Sequence, residues 1–235
     1  MKYLKWYFGL YKTVTSPSRY TSSILSSQGI HSAVVPNGID TGRFNLKANS
    51  ERFKKRFSLY GKTVFMHVGR LVFEKNIDLL IESALLVKEE VPDAVFVIVG
   101  SGPAKEQYKS RVREKGLESL FVFTGFVPDE ELPEAYSACD VFAFPSKFET
   151  QGLVALEAMA CGKPVACASK SATSELISEG KNGFSFSDSP DDCAQKLILC
   201  SQSSKKMASF ARKKAEEYSI EKCTSKMLKA YDSAL

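Results

Sequence analysis

Two acids and two cations are the residues of this sequence best placed to do chemistry. In KFETQGLVALEAMACGKPV, residues 147–165, Glu149 and Glu157 stand eight positions apart. Eight residues of regular helix make about 2.2 turns, which sets both carboxylates on roughly one side. That spacing fits a solvated helix face, and it also fits two carboxylates directed at one ligand. Where the helix begins separates the two cases. A start near Gly152 gives GLVALEAMAC, ended by Gly162, with Glu149 in the preceding loop and Glu157 in the second helical turn. Helical side chains lean toward the N-terminus, so Glu157 reaches toward the mouth that Glu149 borders. Free backbone N–H groups at Gly152 and Leu153 then form an anion site between the acids. An acid beside a helix N-terminus also gains about 0.3–1 kcal/mol with no ligand at all, so Glu149 alone does not decide the matter.

The elements that position these residues alternate from residue 63 onward. Strands are predicted at TVFMHVG (63–69), AVFVIVG (94–100), LFVFTG (120–125), VFAF (141–144), PVACA (164–168) and GFSFS (183–187). They are short and apolar on both faces, as strands between two helix layers must be. Between them, NIDLLIESALLVKEE opens on Asn76 as N-cap and stops before Pro92. PAKEQYKSRVREKG opens with Pro103 at the first helical position and stops at Gly116. DEELPEAYSAC starts at Asp129 with acids in its first turn. This alternation predicts an α/β fold, a doubly wound parallel sheet of Rossmann type. Residues 1–35 read as helix, short strand, helix, short strand. The tail from about 189 reads as three helical segments, the last being SIEKCTSKMLKAYDSAL. VPNGIDTGRFN (35–45) breaks regular structure and marks a border, dividing the chain into 1–35, 36–218 and a C-terminal helix, 219–235.

In an open parallel sheet, ligands bind at the carboxyl ends of the strands, where strand order reverses. The loops leaving those ends are GRLVFEKN, with Arg70 and Lys75, then GSGP, GFVPD and PSKFETQG. Three of them open on glycine, Gly69 among them, which permits close backbone approach, and two cations lie in the first. An anionic ligand such as a diphosphate needs such a lining. A diphosphate flanked by hydroxyl-binding carboxylates is the pattern of a nucleoside diphosphate sugar.

Composition narrows the partners. The net charge of +5 over 235 residues is too small to argue for nucleic acid, and pairs such as Lys205–Lys206 and Lys213–Lys214 read as solvated helix surface. No apolar run reaches the roughly 18 residues of a membrane span, and no secretory signal is evident. The six cysteines contain no CxxC pair and are expected to be reduced, buried and cytoplasmic. With only His31 and His67, a histidine-rich metal site is excluded, and His67 lies within an apolar run as a core residue would.

FETQGLVALEAMACGKPV resembles the glutamate–seven residues–glutamate signature of the retaining GT-B-fold glycosyltransferases of family 4. VTSPSRYTSSIL, VVPNGIDTGRF, HVGRLVFEKNIDLLIESA, FVIVGSGP, FTGFVPDEEL and SELISEGKNGF fall in that family's order and approximate spacing. The resemblance is close from residue 13 to about 190 and loose in the tail. It implies that Arg70 and Lys75 bind the donor diphosphate and stabilise the departing nucleoside diphosphate. It assigns Glu149 to hydroxyls of the transferred sugar, Glu157 to the ribose, backbone at Gly152 and Leu153 to phosphate or sugar, and backbone near Val127 to the base. No cofactor and no metal are expected, because cations and helix dipoles take the metal's electrostatic role.

The family has two Rossmann-like domains, and residues 1–35 resemble only the last elements of the first. The resemblance therefore implies that activity needs an N-terminal domain, in cis or as a separate subunit. A non-catalytic nucleotide-sugar-binding or regulatory module is the alternative. The ETQG variant is reminiscent of some diacylglycerol glucosyltransferases, and a lipid acceptor would bring peripheral contact with the cytoplasmic membrane face. The aromatic start around Tyr3, Trp6, Tyr7 and Phe8 is expected to lie against a partner.

Overall fold

The protein is described over residues 2–232 by a computed structural model. Its first part is small: helix α1 (Lys2–Gly9), β1 (Thr15–Ser16), α2 (Arg19–Ser27) and β2 (Ala33–Val34), with β1 and β2 paired in parallel. Ser18 caps α2, its Oγ accepting from the Thr21 N–H at 3.1 Å.

After α3 (Glu51–Arg56) come the strands of the main sheet and their helices. These are β3 (Thr63–Val68), α4 (Ile77–Glu90), β4 (Ala94–Val99), α5 (Lys105–Glu114), β5 (Phe121–Gly125), α6 (Leu132–Ala138) and β6 (Val141–Phe144). The series continues with α7 (Leu153–Ala160), β7 (Val165–Ala168), β8 (Gly183–Phe186), α8 (Pro190–Glu216) and α9 (Ile220–Asp232). All six predicted strands are present within a residue of their expected ends. Every pairing is parallel, in the order β5-β4-β3-β6-β7-β8. The order reverses between β3 and β6, and that reversal opens the crevice.

Side chains alternate across the sheet with the period of two that a strand imposes. Val64, Met66, Val97, Phe142, Phe144, Val165 and Cys167 meet α6 and α7 on one face, whereas Phe65, Phe96, Ile98, Ala143 and Ala166 meet α4 and α5 on the other. Phe65, Phe96 and Phe121 stack across three adjacent strands with centroids 5.2 and 5.0 Å apart. Both faces are buried, which is why no strand shows a polar side. All six cysteines are buried and free.

Helix α8 belongs to both layers. Cys193, Ala194, Leu197 and Cys200 pack on the α4 side, and Ala211 and Ala215 on the α7 side. The predicted division of the tail into three helical segments is corrected here: residues 190–216 form one 27-residue helix, followed by α9. No glycine or proline interrupts it after Pro190. The serines at 201–204 cost only a few tenths of a kcal/mol each against alanine, and Ser201 Oγ bonds back to the Ile198 carbonyl at 2.8 Å. The last three residues of the predicted C-terminal helix, 233–235, lie outside the described residues.

Three helix starts also differ from expectation. Asn76 stands at the N-cap of α4 but has left-handed backbone (φ 54°) and caps no N–H; its amide donates instead to Asp188 Oδ1 at 3.2 Å. Pro103 precedes α5, which begins at Lys105. Asp129 opens a 3-10 turn, Asp129–Glu131, ahead of α6. Helix α3, buried through Phe53, was not anticipated.

The border at 35–45 is fastened in two directions. Ile39 N–H donates to the Tyr218 carbonyl at 2.9 Å, and its carbonyl accepts from Ile220 N–H at 3.1 Å. Arg212 on α8 donates through one nitrogen to the carbonyls of Thr41, Phe44 and Ala160, at 2.9–3.1 Å.

Candidate active site at the switch point

The loop leaving β3 and the loop leaving β6 stand on either side of the strand-order reversal. Each delivers one charged residue to it. Lys75 ends the 3-10 turn Phe73–Lys75, and Glu149 lies in the loop before α7. Lys75 Nζ is 3.3 Å from Glu149 Oε2, with the side chains 21% and 18% exposed. That shielding sets the pair apart from a solvated surface bridge, which contributes little. Lys75 Nζ also lies 5.4 Å from the centre of the Phe144 ring, at the end of β6. Arg70 projects into solvent from the β3 loop and makes no ion pair among the described residues.

Helix α7 begins where the sequence placed it. Gly152 is its N-cap in left-handed conformation (φ 91°), a conformation that favours glycine. A Cβ there would come within 2.5 Å of Thr173 Oγ1, so glycine is required twice over. Among the described residues, the N–H groups of Gly152 and Leu153 have no hydrogen-bond partner, and the first bonds of the helix run to the Gly152 carbonyl from Ala155 and Leu156. Two free N–H groups at the positive end of a helix, beside a lysine, form an anion-binding corner.

Glu157 occupies the second turn of α7 and meets different neighbours from Glu149. Tyr136, fully buried on α6, donates its hydroxyl to Glu157 Oε2 at 2.7 Å. Burial raises the Glu157 carboxyl above its usual range, while the Tyr136 hydrogen bond and the Arg43 charge oppose that rise. Arg43 pairs with Asp129, Nη1 to Oδ2 at 2.6 Å, close to the loop that follows β5. Val127 in that loop is buried. Glu149 thus sits on the cationic side of the α7 N-terminus, and Glu157 sits toward the β5 loop.

One sequence reading changes. Gly100, which opens the loop after β4, is expected to leave room for a ligand, yet a Cβ on it would meet the Gly69 carbonyl oxygen at 1.9 Å, and one on the nearby Gly102 would meet the Leu71 carbonyl oxygen at 2.3 Å. Their small size serves contact between loops. Gln151, part of the ETQG variant, is buried and bonds both the N–H and the carbonyl of Asn37, at 2.9 and 2.8 Å. These bonds tie the ETQG segment to the border loop. Arg43 and Tyr136 went unassigned in the sequence because each acts on a residue far along the chain, and only the fold brings them to Glu157.

A parallel sheet with Lys75, Glu149 and the N-terminus of α7 at its switch point defines an α/β domain of Rossmann type. Its fold is that of the GT-B glycosyltransferases. Residues 49–217 match the family of glycosyl transferases group 1, and the chain belongs to it. A GDP-mannose-dependent alpha-(1-6)-phosphatidylinositol monomannoside mannosyltransferase from Mycolicibacterium smegmatis is 36% identical over 181 residues, covering 72% of this chain and 47% of its own length. Anabaena Alr3699/HepE, solved with UDP, superposes with a TM-score of 0.84 at 24% identity, covering 94% of this chain and 64% of that one. The C-terminal domain of LpcC, a group 1 family protein from Francisella tularensis, matches over its whole length and 78% of this chain, with a TM-score of 0.67 and 26% identity. The chain spans about half or less of the length of the curated relatives it matches. Among the described residues, no helix is long and apolar enough to cross a membrane.

Proposed function

We propose that this chain supplies the donor-binding half of a retaining family 4 glycosyltransferase, which moves a sugar from a nucleoside diphosphate sugar to an acceptor hydroxyl. The observation that carries this reading is the Lys75–Glu149 pair across the switch point, beside the free N–H groups that open α7. In this reading Lys75, Arg70 and the α7 N-terminus hold the diphosphate and offset the negative charge that grows on the leaving group. Glu149 accepts hydrogen bonds from hydroxyls of the transferred sugar. Glu157, held by Tyr136, accepts them from the ribose, and backbone near Val127 reads the base. The neighbour solved with UDP and the GDP-mannose-dependent relative both support a nucleotide donor; the base and the sugar are assigned here only as a uridine or guanosine diphosphate sugar. The cations and the helix end take the electrostatic role that a metal has elsewhere. An N-terminal domain, in cis or as a subunit, would hold the acceptor in near-attack geometry, which is worth about 7–11 kcal/mol of barrier.

Calorimetry tests this reading. Lys75→Ala is expected to weaken nucleoside diphosphate by about 1.5–3 kcal/mol, roughly ten- to a hundredfold. Glu157→Ala weakens it as well, whereas Glu149→Ala leaves it at or above the original affinity and affects only the intact nucleotide sugar. Equal affinity for nucleoside and nucleoside diphosphate would defeat the assignment. With a radiolabelled donor, the chain alone should bind without transferring sugar, and transfer should appear when an N-terminal domain is supplied.

A further inference from the structure

His67 lies beneath the Lys75–Glu149 pair, on β3, and is fully buried. Its Nδ1 is 3.2 Å from the Ala143 carbonyl oxygen. A carbonyl can only accept, so Nδ1 carries the proton and Nε2 is left with a bare lone pair. That Nε2 has no hydrogen-bond partner. A buried acceptor without a donor is destabilising, and each one in a folded protein calls for an explanation.

The Lys75 side chain approaches the same place, and its charge acts on the imidazole. A methyl group built on Gly69 would lie 3.4 Å from His67 Nε2 and 4.0 Å from Lys75 Cε, so both approach one side of one glycine. Both also share the Phe144 ring. The imidazole stacks on it with centroids 5.6 Å apart and planes 15° from parallel, and Lys75 Nζ stands 5.4 Å from its centre. The imidazole is neutral: burial, with a smaller contribution from the Lys75 charge, brings its pKa down to about 3.

We propose that His67 is a positioning residue for Lys75, its Nε2 accepting a hydrogen bond from the ammonium when Glu149 turns away to a donor sugar. This rests on the donor-binding reading above. In the free chain the ammonium is balanced by Glu149. Once that carboxylate serves sugar hydroxyls, Lys75 has three N–H donors and needs a second fixed partner to keep the others on phosphate. A neutral buried imidazole supplies one without adding charge. An acid in its place would cancel the cation, and an aliphatic residue would leave it unanchored.

Two measurements on the whole chain test this. The first follows the His67 ring nitrogens by 15N NMR in the ligand-free protein. Glu149→Gln should release Lys75 to the imidazole and move the Nε2 resonance upfield, and adding Lys75→Ala should reverse the move. An Nε2 resonance that is the same in all three proteins overturns the proposal. The second is calorimetry with the intact nucleotide sugars uridine diphosphate glucose and guanosine diphosphate mannose, whose hexose draws Glu149 away from Lys75. His67→Leu is expected to lose roughly tenfold or more, the scale of a hydrogen bond to a charged group. His67→Gln, which keeps an acceptor, should stay within about twofold, and His67→Leu should cost nothing further once Lys75 is alanine. An equal loss with and without Lys75 would show a purely structural role and overturn it. Should His67→Leu fail to fold, His67→Gln and the resonance test still decide. Failure of the unaltered chain to bind either nucleotide sugar would sink the donor reading and leave the resonance test standing.

Discussion

His67 stays uncharged in the folded chain until the pH approaches about 3, whereas in an unfolded chain it takes a proton near 6.5. Between those values the unfolded state binds the extra proton, so stability falls as the solution is acidified, by about 1.4 kcal/mol per pH unit. Glu157 works in the opposite sense. Its carboxyl is raised by burial, so it costs stability at neutral pH, and that cost is relieved as pH falls through its folded pKa. Urea unfolding followed from pH 7 down to pH 4 separates the two. His67→Gln should flatten the loss of stability toward acid, and Glu157→Gln should steepen it. At this scale the sequence is informative where a loop position suffices: Lys75 and Glu149 fall in loops leaving the carboxyl ends of the first and fourth strands, and the fold sets those strands side by side. It was silent on Arg43 and Tyr136, which have no local pattern. It read His67 as a core residue, and burial agrees, but its unpartnered nitrogen could not be seen without the Ala143 carbonyl.

Helix α7 depends on a glycine whose reason is partly remote. The left-handed Gly152 could be inferred from the helix start, but Thr173 could not, because it arrives from a 3-10 segment, Ala172–Leu176, beyond β7. Gly152→Ala is expected to cost about 1–3 kcal/mol from backbone strain, with further loss from the overlap with Thr173. Adding Thr173→Ala should recover only the overlap part, which thermal unfolding of the three proteins would resolve. Because the N–H groups of Gly152 and Leu153 move with that turn, Gly152→Ala should also lose nucleoside diphosphate affinity. Strands were the most legible elements, since short runs of Val, Ile and Phe, apolar on both faces, stand out between amphipathic helices. Helix α8 was the least. Its serines resemble a break when read locally, and its continuity is enforced by two layers that it packs against at once.

The burial of all six cysteines is a property of the whole molecule, because they come from a strand, from two helices and from the C-terminal ends of two others. Burial pushes the thiol of Cys161 up to about 11 and those of Cys193 and Cys200 up to about 12, and it raises Cys139 and Cys167 as well. A thiol must ionise to react. A maleimide reagent at neutral pH should therefore label the native chain slowly and reach all six cysteines only in denaturant; rapid native labelling would contradict the packing. Helix α1, by contrast, is open. Tyr3, Trp6 and Tyr7 on α1 are exposed, with Tyr3 and Trp6 packed on each other at 5.6 Å, while Phe8 is half-buried. The proposed N-terminal domain would account for that face.

The clasp around Ile39 has a consequence for how the chain is made. Residues 38–44 take their partners from Arg212, Tyr218 and Ile220, and Gly38 lies so close that a Cβ would come within 2.6 Å of Ile220 Cα. Translation runs at ~5–20 residues per second, so the border loop leaves the ribosome roughly ten seconds or more before those partners exist. It must wait, with its backbone groups bonded to water, while the sheet forms behind it. Fastening the early part of the chain is then among the last events of folding, completed only when the final helices arrive. A chain ending at residue 217 should keep its sheet and its circular dichroism yet be cut by protease within 36–44, where the full chain resists.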